Sequence, residues 1–92
     1  MNNYSIIQQI KKLANENDYI EIHLYSKYNG NYLFAYNSKC HDLDTDPFSE
    51  TLIIKHKQSI AGAYIPYDII DYFTVEETMT EEEYKELFKP SI

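Results

Sequence analysis

Apolar side chains recur every three or four positions between residues 4 and 15. Ile6, Ile7, Ile10, Leu13 and Ala14 make one stripe, with Lys11 and Lys12 on the wet side. That spacing predicts an amphipathic helix, capped by Asn2 or Asn3 and ended by Asn15-Glu16-Asn17-Asp18. The period then changes to two. Over residues 19–27, Ile20, Ile22 and Leu24 alternate with Tyr19, Glu21, His23, Tyr25 and Lys27, which predicts a half-buried strand. Asn29-Gly30 follows and predicts a type I′ hairpin into a return strand over 32–37. Such a turn pairs Lys27 with Tyr32, Tyr25 with Phe34 and His23 with Tyr36. One face of the hairpin then carries Tyr25, Tyr32, Phe34 and Tyr36, and the other carries Ile22, Leu24, Leu33 and Ala35.

Residues 38–50 read as a polar loop, and 51–57 as a third strand. Ala63-Tyr64-Ile65 is a fourth short strand stopped by Pro66. Tyr67-Asp68-Ile69 has room for one helical turn. Ile70 to Glu76 is a fifth strand, with a helix from Asp68 to Phe73 as the alternative. Residues 80–89 are a helix: Thr80 and Glu83 form a capping box, Tyr84, Leu87 and Phe88 its apolar face, and Pro90 its stop. The expected fold is α+β and one domain spanning 1–92: an N-terminal helix, a curled antiparallel sheet of four to five strands, and a short C-terminal helix.

The order of one helix and then strands resembles the Sm-like small barrels of bacterial RNA chaperones. Ile65-Pro66-Tyr67-Asp68-Ile69-Ile70 resembles the short turn before the last strand of such barrels. The likeness covers roughly residues 4–76 and is one of topology. The family's RNA-contacting motifs have no counterpart here, so no functional residue is carried over.

Charge narrows the function classes. The 92 residues carry 8 basic and 15 acidic side chains, a net charge of −7, and all the basic ones are lysine. A chain without arginine and without a basic face is a poor nucleic-acid binder. The charge is also uneven: residues 1–41 sum to +1 and residues 42–92 to −8. Asp68, Asp71, Glu76, Glu77, Glu81, Glu82, Glu83 and Glu86 stand against Lys85 alone. Such a run is either a solvated face or an electrostatic decoy, its carboxylates standing where phosphates would lie in a basic groove. With Tyr67, Tyr72 and Tyr84 interleaved as anchors, these residues are the candidate partner-binding set. In size, acidity and lack of motifs the chain is similar to phage-encoded anti-defence proteins, anti-CRISPR inhibitors among them. That similarity implies a protein inhibitor of a nucleic-acid-handling protein.

No catalytic pattern is present, so no enzyme is expected, and no cofactor. Asp42-x-Asp44-x-Asp46 opens like a calcium loop, but Pro47 and Ile53 stand where such a loop needs glycine and glutamate. Cys40-His41 are neighbours that point to opposite sides, and no second cysteine completes a metal set or a disulfide. With no basic, apolar leader and no long apolar run, a cytoplasmic protein is expected. The ten tyrosines remain. The hairpin tyrosines are either core beneath the first helix or an interface. A second class of function is therefore a structural homo-oligomer, assembled through strand edges and those tyrosines.

Overall fold

A computed structural model describes residues 4–87. The stripe expected at the start forms α1 (Tyr4–Glu16), and its Ile7 and Ile10 are fully buried. Asn17 closes the helix: its side-chain amide and its backbone N–H both donate to the Leu13 carbonyl, at 2.8 and 3.2 Å. The alternation that follows forms β1 (Tyr19–Ser26), in which Ile20, Ile22, Leu24 and Ser26 are buried in strict turn. β2 is Tyr32–Asn37, β3 His41–Asp46, β4 Thr51–His56 and β5 Gly62–Pro66. A single 3₁₀ turn, Tyr67–Ile69, leads into β6 (Ile70–Met79) and then α2 (Glu81–Leu87). The proposed caps Asn2 and Asn3, and Phe88 and Pro90 at the end of the second helix, lie outside the described residues.

The class is α+β, as expected, but the strands among the described residues number six and form two antiparallel sheets rather than one. One sheet has the order β2-β1-β6 and the other β3-β4-β5. The middle of the expected loop over 38–50 is in fact β3. Aspartate is a poor strand former, yet pairing with the apolar β4 overrides local preference. Asp42 lies opposite Lys55, and its carboxylate is 3.9 Å from the Lys57 ammonium. Ser38 ties the end of β2 to the start of β1 within the first sheet. Its hydroxyl accepts from the Ile20 N–H at 2.8 Å and donates to the Asp18 carbonyl at 3.0 Å.

The hairpin expectation is corrected in a way that matters for the site. A type I′ turn needs positive φ at both central residues, and only Gly30 has it, at +68°. The chain instead closes a longer loop, with the Gly30 N–H on the Ser26 carbonyl (3.0 Å) and the Ser26 N–H on the Asn31 carbonyl (2.6 Å). A bulge between Leu24 and Tyr25 shifts the register, so Tyr25 meets Tyr32, Leu24 meets Phe34 and Ile22 meets Tyr36. Because side chains alternate, that slip turns Phe34 and Tyr36 inward. Tyr36 is 5% exposed and belongs to the core, with Ile7, Ile10, Ile22, Leu24, Leu52, Ile54, Ile65, Tyr67 and Ile70. The open choice at 68–73 resolves as a 3₁₀ turn through Ile69 and strand from Ile70 onward.

Candidate functional site

The register of β1 sets one face of the first sheet. Tyr19, Glu21, His23 and Tyr25 point away from the core-facing Ile20, Ile22 and Leu24. β6 brings Met79, Glu77, Thr74 and Tyr72 opposite those four in order. β2 adds Tyr32 opposite Tyr25. A continuous run of rings crosses all three strands. Tyr72 stacks on Tyr25 with centroids 4.7 Å apart and planes within 6°. Tyr25 meets Tyr32 edge-on at 5.9 Å, and Tyr32 meets His23 edge-on at 5.6 Å. Tyr32 and Tyr72 are 54% and 45% exposed, so this aromatic run is a surface and not a core.

Carboxylates border the rings. Glu21 and Glu77 are direct cross-strand partners on the same face. Like charges placed so cost stability rather than adding to it. The Glu21 carboxylate accepts from the His23 ring at 3.1 Å, and the Thr74 hydroxyl donates to Glu76 at 3.3 Å. Among the described residues, the lysine ion pairs go to Glu16, Asp42 and Glu81, and none reaches Glu21 or Glu77. Lysine or arginine from outside could neutralise the pair and lie over the tyrosine faces at the same time.

The predicted partner-binding residues divide three ways. Tyr72, Glu76 and Glu77 lie on β6 beside the aromatic run. Asp68 and Asp71 lie towards one end of that strand, and Glu81, Glu82, Glu83 and Glu86 on α2 at the other, all exposed. The acids therefore form a strip along one edge of an elongated body of 53 × 25 × 22 Å, not a compact patch. Two of the three anchors are corrected. Tyr67 is 5% exposed, and burial, foremost, pushes its phenol pKa up; a hydrogen bond with Thr45 works the other way. Tyr84 is spent inside the molecule: it stacks on Tyr19 at 4.0 Å, with the Lys39 ammonium 4.1 Å above its ring. That sandwich and Asp18, which accepts from the Glu81 N–H at 2.9 Å, hold α2 against the start of β1.

Sequence reasoning missed Glu21 as a site residue, and offered Tyr25 and Tyr32 only as hairpin core or as a homo-oligomer interface. The signal was present in the alternation of β1, but only the β1–β6 register brings them beside Tyr72 and Glu77. The acidic triplet Asp42, Asp44 and Asp46 sits at alternate positions of β3, and no cluster of three metal-ligating side chains occurs among the described residues. No described helix is long and apolar enough to cross a membrane. Compared with family models, with curated proteins and with solved structures, the chain finds no match.

Proposed function

We propose that the protein is a small cytoplasmic binding module, not an enzyme, that inhibits a nucleic-acid-handling protein by occupying its basic groove. The observation that carries the reading is the Glu21–Glu77 pair beside the Tyr72–Tyr25–Tyr32 run. Its own fold gains nothing from setting two carboxylates together, whereas a basic partner gains both charge and ring contacts. The acids from Asp68 to Glu86 extend the negative field along the same edge and would speed encounter with a positive surface. An anti-defence role, of the anti-CRISPR kind, fits this chemistry.

Affinity capture from a bacterial lysate tests it, using the wild-type chain beside Glu77→Lys/Tyr72→Ala and washing with rising salt. The expected result is a basic nucleic-acid-handling protein held by the wild type, released by salt and lost by the variant. Equal retention by both chains would refute the face assignment.

A second reading is favoured by one feature. Tyr64 is 64% exposed on β5, a strand that leaves one edge unpaired. Copies of the chain joined through strand edges would bury it. Gel filtration at micromolar concentration separates the readings, because edge pairing predicts an oligomer indifferent to salt.

A further inference from the structure

The second sheet holds a site that the acidic face does not use. The β3–β4 register sets His41 opposite His56, two residues along from the Leu43–Ile54 pair that packs on the core. The two rings meet at right angles with centroids 5.6 Å apart. Phe34 stands edge-on to His41 at 5.4 Å. With Ile54, Ala61 and Gly62 these side chains line a half-open cavity of about 170 Å³. Small residues keep its rim low. A Cβ at position 62 would stand 3.2 Å from the Ile54 carbonyl oxygen, so glycine lets β5 lie close against β4 there.

Backbone hydrogen bonds select the tautomer of both rings. The Asn37 N–H donates to His41 Nδ1 at 3.0 Å, and the Gln58 N–H donates to His56 Nδ1 at 3.2 Å. An accepting Nδ1 carries no proton, so each neutral ring holds its proton on Nε2. That arrangement disfavours a metal. A histidine that ligates through Nε2 needs its Nδ1 to be a donor, and here both are acceptors. It leaves instead two N–H donors on adjoining rings in an otherwise apolar cavity, with no partner for either Nε2 among the described residues. A dry cavity of about 150 Å³ holds one benzene ring, so this one has room for a single ring with a small polar group. Two donors on separate rings are matched by two acceptor oxygens on one carbon.

We infer that the His41–His56 cavity is a binding site for a small monocyclic aromatic carboxylate, its ring against Phe34 and Ile54 and its two oxygens on the paired Nε2–H groups. This site is independent of the acidic face, and a ligand in it bridges β3 and β4 near the corner between the sheets.

Benzoate is the probe. Titrated into ¹⁵N-labelled protein, it should shift both imidazoles and the Gly62 amide saturably, with both rings in the Nε2–H form. Ala61→Leu, which fills the cavity from the rim of a turn, should weaken binding at least tenfold without moving the rest of the amide spectrum. His56→Leu should do the same by removing one donor at similar volume. Absence of a saturable shift, or equal binding by Ala61→Leu and His56→Leu, would overturn the site. Equal binding of benzyl alcohol would overturn the carboxylate.

Discussion

Replacing Glu77 by lysine should make the protein more stable and less functional at once. Glu77 lies directly opposite Glu21 on the exposed face of the first sheet. A like-charge cross-strand pair costs, and an opposite-charge pair contributes, about 0.2–1 kcal/mol each relative to a neutral pair. The substitution exchanges the first for the second, a gain of about 0.4–2 kcal/mol. For a domain of this size about 1 kcal/mol moves Tm by roughly 4–8 °C, so Glu77→Lys should melt several degrees higher at low salt. The gain should shrink in about 1 M salt, where the Debye length falls to roughly 3 Å. Thermal melts followed by circular dichroism at two ionic strengths measure both effects. The same variant should associate more slowly with the captured partner in a stopped-flow or surface-based assay. A lower Tm, or a higher Tm with unchanged association, would show that the carboxylate pair is not kept for binding.

The tyrosines should separate in the same way. Tyr36→Ala opens the core and should cost about 3–5 kcal/mol, whereas Tyr72→Ala should cost about 0.5–1.5 kcal/mol for its stack on Tyr25; urea melts giving equal costs would contradict the inward and outward assignments. Asp18→Ala should free α2 by removing the acceptor for the Glu81 N–H, seen as faster amide exchange at Tyr84 with protection in β1 and β4 unchanged. Burial raises the phenol pKa of Tyr36 and Tyr67 above 10.0, so the stability they hold is complete below that pH and is lost as pH rises through their folded values. Ultraviolet titration should therefore show the Tyr36 and Tyr67 phenols ionising only with the unfolding step. Asp46 behaves oppositely. Hydrogen bonds from the Ser49 side chain, foremost, and from the Phe48 N–H hold its carboxyl below the ordinary 3.8, so the β3–β4 turn should keep its support above that pH, lose it as pH falls further, and lose this acid sensitivity in Asp46→Asn.

Periodicity made the first helix and β1 legible, because one apolar stripe and one strict alternation each admit a single reading. The helix at 81–87 was legible from Thr80 and Glu83, whose N–H does reach the Thr80 hydroxyl at 3.2 Å. β3 was not legible, since three alternating aspartates look like a loop until Ile53, Ile54 and Lys55 are placed across from them. The hairpin failed for a different reason. Asn-Gly fits more than one turn, and a bulge of one residue at Leu24 decides which face each tyrosine takes. That local shift moved Tyr36 into the core and left Tyr25, Tyr32 and Tyr72 as the surface run. The site was therefore half readable: the acids and Tyr72 are in the sequence, but their neighbours on β1 and β2 come from strand registers set by tertiary contact.

Nucleic-acid displacement from the captured partner tests the central claim most directly. With a fluorescent nucleic acid bound to that partner, adding the wild-type chain should release it in proportion to the chain bound, less so as salt rises, and Glu77→Lys/Tyr72→Ala should release little. A stable complex holding protein, partner and nucleic acid together would contradict the account, because the acidic face would then lie somewhere other than the basic groove.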